Sequence, residues 1–589
     1  MTSPFRTDLP EPNRPTLMAR HHAVVANHPW ASQAAFQILE AGGNAVDAGV
    51  AGGLALNVLE SDMCHFLGVA PTMLYMAGSG EVVSAVGPGP WPEAATLDYF
   101  WEKHGGIVPR GILHSVVPSA PDTWITLLES YGTMSFGEVA QAAIRFARDG
   151  FPMFFLRRDR TIEMFESGLH YACPTTDAVF APGGRVPPIG EVFRQPAQAS
   201  MLQYIVDQEK AAARHGRAAG LKAARDAVYR GDVARALVRL QEELGGLMTM
   251  ADLAAYEGEL EKPVRGRFGD WDMYVSGPWG QGPMVLEALN LLKRFDLKAM
   301  GHNSAPYIHV LAEALKLAAA DREHYFGDPR FEDVPLGVLL SDAYTATRSG
   351  QIDLGKAWPQ LPTPGPVPGR TPAPWQPDPS AKIGPPTKRL REPLAAETSY
   401  LCVVDKHGNA FSSTPSDAGV MGPVVPELGL PCCAWGSRAY TGRDHPARLG
   451  PFRRPRMAAN PQLAIMPGRA VMPFGSPGSE VLGQAQLQVF LNMTVFGMEP
   501  QLAVEKPRFA SYSWPGSMLP HGYHPGRLQL EGLIDKGVAA ELAGLGHKID
   551  WWPDRRWRAG SVGVIHSDLE GGILYAGADH RRTAYAIGW

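Results

Sequence analysis

Cysteine is scarce and scattered. The chain has five cysteines in 589 residues (Cys64, Cys173, Cys402, Cys432, Cys433), with no C-x-x-C spacing. That excludes a disulfide framework and the common zinc ribbons, and the vicinal Cys432–Cys433 pair reads as packing. A reducing, cytoplasmic setting is expected. No run of about 18 apolar residues is present, so no membrane span is expected. The opening MTSPFRTDLPEPNRP is polar and proline-rich and has no apolar core of a secretory signal. Basic residues are not in excess: 54 Lys and Arg against 59 Asp and Glu, a net charge of −5. There is thus no electrostatic footprint for nucleic acid. The common catalytic motifs are missing as well. No G-x-x-x-x-G-K-[ST] cradles phosphate, and no H-E-x-x-H binds zinc. His21 and His22 are adjacent rather than at ligand spacing. No serine sits in G-x-S-x-G. Neither a metal nor an organic cofactor is implied.

What is present fits a large soluble enzyme, with 45% hydrophobic and 19% charged residues. The length predicts two lobes or one large composite fold. Helical spacing over 30–41 stops at Gly42-Gly43, and Asn44 opens an Ala/Gly-rich helix suited to close packing. A hairpin is expected over 71–87, a capping box at Ser135-x-x-Glu138, a strand at 272–276, and helices near 283–295 and 305–322. Residues 357–396 are dominated by proline, which cannot build helix or central strand, and read as a flexible tail or linker. The character then flips within two residues. Leu401–Val404, the turn Asp405–Asn409 and Ala410–Thr414 read as a β-hairpin. Strands at 462–466 and 470–474, helices near 481–493 and 534–544, and strands near 547–551, 561–566 and 573–576 follow. Helix-rich sequence before the junction and strand-flanked helices after it predict an α+β layered fold.

A proline tail butted against a buried strand has two readings: a surface linker, or a cleavage site that makes Thr398 a new N-terminus. In the second, the Thr398 hydroxyl attacks the Glu397 carbonyl, and hydrolysis of the ester frees an α-amine. That amine, with a reference pKa of about 8, can then deprotonate the same hydroxyl. A second candidate element, Gly475-Ser-Pro-Gly-Ser479, lies between a predicted strand and a predicted helix. Its backbone N–H groups suit an oxyanion hole, although a plain strand-to-helix turn reads the same way.

Taken together, NHPWASQAAFQILEAGGNAVDAGVAGGLALNVLE, MSFGEVAQAAIRFARDGFPM, LAEALKLAAADREHYFGDPRF, TSYLCVVDKHGNAFSST, GSPGS and GADHRR occur in the order found in the γ-glutamyltranspeptidase family of N-terminal nucleophile hydrolases, which the chain resembles along most of its length. The resemblance implies a four-layer αββα sandwich built from a large fragment, 1–397, and a small one, 398–589. It implies Thr398 as nucleophile, Ser416 as its hydroxyl partner, and Gly478 and Ser479 as oxyanion donors. It also exposes departures. Where the family holds the glutamyl α-carboxylate by arginine, this chain has Pro88. Met457 and Ala458 replace two serines, Arg438 an acidic residue, and Trp435 a glutamine. The glycine-rich loop becomes Cys64-His65-Phe66-Leu67. A site stripped of these partners does not bind a charged glutamyl headgroup well. The expectation is an autoprocessing amidohydrolase acting on a small-molecule, non-γ-glutamyl amide, with Arg438 available for a substrate carboxylate and Met457, Trp435, Phe66 and His65 shaping the pocket. Acylases of β-lactam side chains and amidohydrolases of small acid amides such as oxamate are the relatives in view. The alternatives are a γ-glutamyl hydrolase or transpeptidase using other residues, and an uncleaved, non-catalytic member of the fold. Pairing of two processed heterodimers is left open.

Overall fold

The computed structural model describes residues 4–168, 170–381, 397–553 and 557–589. Two seven-stranded sheets face each other, and every pairing within them is antiparallel. In spatial order the first holds Leu17–Ala19, Ile573–Ala578, Gly563–Asp568, Ala470–Gly475, Gln462–Met466, Trp271–Val275 and Val264–Phe268. The second holds Tyr585–Gly588, Ala23–Ala26, Leu401–Val404, Ala410–Ser413, Thr72–Met76, Glu81–Ala85 and Leu260–Glu261. Both sheets draw strands from either side of residue 398, so the chain builds one composite fold rather than two lobes.

The period-2 alternation of the central strand shows how the layers form. Tyr400, Cys402 and Val404 point between the sheets, onto Leu463, Val471, Ile565 and Ala576. Leu401 and Val403 point outward, under the helices Pro29–Glu40 and Ala45–Leu59. The Ala/Gly composition of Ala45–Leu59 is required by this contact. A Cβ at Gly49 would sit 2.5 Å from the Phe411 ring, and one at Gly52 would sit 2.9 Å from Leu401. On the opposite side Gly282–Leu292, Ala305–Tyr325 and Leu482–Thr494 cover the first sheet. The result is the expected α+β, four-layer αββα sandwich. Among the described residues no helix is long and apolar enough to cross a membrane.

The expected hairpin forms, with Leu401–Val404 paired to Ala410–Ser413 and the turn closed by Asp405 N donating to Asn409 O at 3.1 Å. Over residues 357–381 the flexible tail is corrected. Ala357 N donates to Leu545 O, Trp358 N to Glu313 Oε2, Leu361 N to Tyr523 Oη and Gly365 N to Asp321 Oδ1. Ser380 Oγ reaches Ala439 O. The prolines lack donors, but the amides between them find buried acceptors on the body, so composition alone misreads the segment. Residues 382–396 lie outside the described residues.

Candidate active site

Thr398 stands just before the central strand Leu401–Val404, at one end of the sandwich. Its amide N donates to Met63 O at 3.0 Å, and its carbonyl accepts from Arg582 Nη1 at 2.8 Å. Its Oγ1 is 2.8 Å from Ser416 Oγ. The bridge that holds Ser416 is backbone: Ser416 N donates to Val69 O, and Val69 N to Ser416 O. Thr398 has φ 87°, a left-handed value that a β-branched residue strongly disfavours. Asp417 (φ 116°) and Ser479 (φ 51°) share that region.

Asp417 links three pieces. Its Oδ2 accepts from Ala434 N at 2.9 Å and lies 3.3 Å from His65 Nε2. It thereby ties the Ser416 segment to the 3-10 turn Trp435–Arg438. Arg438 is buried, with its guanidinium 3.4 Å above the Trp435 ring and Nη2 donating to Glu397 Oε2 at 2.7 Å. Trp435 and Met457 share one apolar cluster with Val69, Trp91 and Trp279, and Ala458 is buried beside it.

The loop after Ala470–Gly475 reaches the same end of the sandwich. A Cβ on Gly475 would lie 2.1 Å from the Tyr400 ring, so the loop begins packed against the residue two positions beyond Thr398. Gly478 (φ 131°) supplies a conformation closed to most side chains. Ser476 Oγ accepts from Ser561 N, and Glu480 fixes the loop from behind. Glu480 accepts from Arg322 Nη1, Trp514 Nε1, Gln281 Nε2 and Ser517. Burial alone would raise the Glu480 pKa. Arg322 and the Ser517 hydrogen bonds outweigh it and hold the carboxylate below its ordinary range.

Beneath Thr398 is a buried charged layer that motif reading did not anticipate. Arg157 donates to Leu59 O, Asp62 Oδ1 and Ser61 Oγ. Glu60 is wholly buried, and burial pushes its pKa up to about 7. Ser399, Arg582 and Arg157 favour its ionised form without overcoming that penalty, to which neighbouring Asp62 adds. Sequence gave a single hint of this layer, the arginine pair in the terminal GADHRR.

Some expected pocket residues are elsewhere. Phe66 is core: with Cys64 and Leu67 it packs under the helices, 6.3 Å from the Phe136 ring. An aromatic in a buried turn is drawn to the nearest apolar layer, which here is the helical one. Pro88 lines a cavity of about 140 Å³ with Val86, Trp91, Tyr256, Phe452 and Arg330, whose walls do not include Thr398. His65 is wholly buried on Asp417 and acts through that contact.

Two facing antiparallel sheets between helical layers are the architecture of the N-terminal nucleophile hydrolases. A family model described as Gamma-glutamyltranspeptidase matches residues 31–589, and the chain belongs to that family. Among curated relatives it is 29% identical over 572 residues to the glutathione hydrolase-like YwrD proenzyme of Bacillus subtilis (strain 168), covering 96% of this chain and 98% of the relative. It is 30% identical over 541 residues to the acylase ACY 1 proenzyme of Pseudomonas sp. (strain SE83), covering 89% and 87%. Among solved structures, the cephalosporin acylase from Bacillus halodurans superposes with a TM-score of 0.82 at 26% identity, covering 100% of this chain and 99% of that one. The protein is an amidohydrolase of the N-terminal nucleophile type.

Proposed function

We propose that the chain cuts itself between Glu397 and Thr398, and that the freed Thr398 hydrolyses an amide whose acid portion carries a carboxylate and is not a γ-glutamyl group. The observation that carries this reading is the 2.8 Å contact between Thr398 Oγ1 and Ser416 Oγ, at a strained residue heading the central strand. After the cut, the Thr398 amine is the base nearest its own hydroxyl. Arg582 lies against the Thr398 carbonyl, and its positive charge favours the neutral amine that the role needs. The hydroxyl adds to the substrate carbonyl, and Gly478 and Ser479 N–H groups take the developing oxyanion. The amine proton passes to the leaving nitrogen, and water then hydrolyses the ester. Arg438, on its Trp435 platform, pairs with the acid's carboxylate.

Thr398→Ala is expected to stay as one chain of 63.7 kDa and to hydrolyse nothing; an alanine chain that is still cut refutes the assignment. The processed protein is expected to prefer half-amides of dicarboxylic acids over a γ-glutamyl anilide. Similarity to a glutathione hydrolase-like proenzyme favours the alternative γ-glutamyl reading, and rapid anilide release would establish it. A native chain that never splits would instead favour a non-catalytic member of the fold.

A further inference from the structure

The Glu397–Arg438 pair lies on the acyl side of the bond to be cut. Glu397 and Arg438 are no more than 3% exposed. Arg438 Nη1 also donates to Ser437 Oγ at 3.1 Å, and the Trp435 ring backs the guanidinium. Burying two opposite charges removes several kcal/mol of hydration from each, which the pairing recovers only in good geometry. Here it is not fully recovered: burial raises the Glu397 pKa despite Arg438 and Arg160, with Asp417 adding to the rise. For a buried acid whose pKa is raised, folding grows less favourable as pH climbs through the shifted value. The ionised pair therefore does not secure the fold at neutral pH. The scissile bond is meanwhile held on its other side, Thr398 N on Met63 O and Thr398 O on Arg582. Glu397 supplies the only side-chain hold on the acyl side among the described contacts of that residue.

We propose that Glu397 is a positioning residue for self-cleavage: Arg438 clamps its carboxylate so that its carbonyl faces Thr398 Oγ1, and the cut hands the same guanidinium to the carboxylate of the substrate. This rests on the reading of Thr398 as nucleophile. In the step, Thr398 Oγ1 bonds to the Glu397 carbonyl carbon and the C–N bond to Thr398 breaks. The hydroxyl proton ends on the new α-amine. Water then gives its hydroxyl to the Glu397 acyl carbon and its remaining proton to Oγ1. Arg438 is thereby occupied before processing and available after it, so binding of an external carboxylate is coupled to maturation.

The test follows the loss of intact chain by mass over time from pH 5 to 9, in the full-length protein. Glu397→Gln is expected to slow cleavage about ten-fold to a hundred-fold, the cost of a misplaced carbonyl, and to remove the acid-side fall that Glu397 titration adds. Arg438→Glu alone is expected to block cleavage, and combining it with Glu397→Arg to recover a measurable part of the rate. Melting temperatures of the four chains separate misfolding from misplacement, and the charge-reversed pair decides the case if Glu397→Gln melts early. Glu397→Gln cutting at the native rate with the native pH profile overturns the proposal, as does a reversed pair no faster than Arg438→Glu alone. If Thr398→Ala is still cut, the reading of the nucleophile fails instead.

Discussion

The buried Glu60 gives the sharpest test of the charged layer under Thr398. Its pKa is raised from an ordinary 4.5 to about 7, chiefly by burial, with Asp62 reinforcing the rise. The groups facing it, Ser399, Arg582 and Arg157, act the other way. The sign follows from linkage. Between the two values the folded chain holds the proton and the unfolded chain does not, so stability is greatest below pH 4.5 and declines as pH rises toward 7. The span of about 2.5 units corresponds to about 3 kcal/mol at 1.36 kcal/mol per unit. Glu60→Gln keeps the shape and removes the titration. Urea unfolding of Thr398→Ala chains with and without Glu60→Gln, from pH 4.5 to 8, is expected to show the glutamine chain gaining on its parent by about 3 kcal/mol across that range, most of it below pH 7. A difference that stays flat with pH refutes the reasoning, because a glutamate already ionised at pH 5 in the folded state gives no slope there. A difference of the opposite slope would mean that Arg582 outweighs burial.

Two further predictions concern the hydroxyl pair and the loop. Ser416→Ala is expected to slow cleavage strongly while Ser416→Thr retains it, since only the hydroxyl facing Thr398 Oγ1 differs in kind; equal rates by intact mass would dismiss Ser416. Gly475→Ala places a methyl 2.1 Å from the Tyr400 ring and is expected to lower stability by about 1–3 kcal/mol, read by thermal melting, and to slow cleavage by displacing the residue two positions from Thr398. An unchanged melting temperature would show that Tyr400 moves freely, against the packing described.

The sandwich was legible because its signals are local. Period-2 alternation at 401–404, turn residues at 405–409 and caps at Asn44 and Ser135 each act within a few residues, and all take the expected form. The site was legible only where a residue keeps its chemical type. Thr398 and Ser416 are eighteen positions apart and meet through a hydroxyl contact that the family resemblance implied. Glu60, Arg582 and Asp417 were not foreseen, because what makes them matter is burial beside Thr398 and Ser416, which depends on chain segments hundreds of residues apart. Phe66 was misplaced for the same reason: its neighbours in sequence border the site, but its ring packs into the helical layer. The proline-rich stretch misled in the opposite sense, since its ordering over 357–381 comes from acceptors on other elements.

Backbone strain separates the roles of the three site segments. Six non-glycine residues in the described structure have positive φ, and three of them are Thr398, Asp417 and Ser479. Each such conformation costs of order 1–3 kcal/mol and persists only where surroundings enforce it. For Asp417 the enforcement is the bond from Ala434 N, and for Ser479 it is the anchoring of Glu480 next door. Cleavage leaves both in place. Thr398 differs, because φ is defined by the carbonyl carbon of the preceding residue, and that bond is the one removed. Its strain, together with the poorly compensated burial of Glu397, is lost on cutting. The two terms favour processing and contribute nothing to later turnover. The strain at Asp417 and Ser479 is retained and holds the hydroxyl partner and the loop in place through each cycle. A chain that must cut itself once and then act repeatedly requires both kinds, and the structure assigns them to different residues.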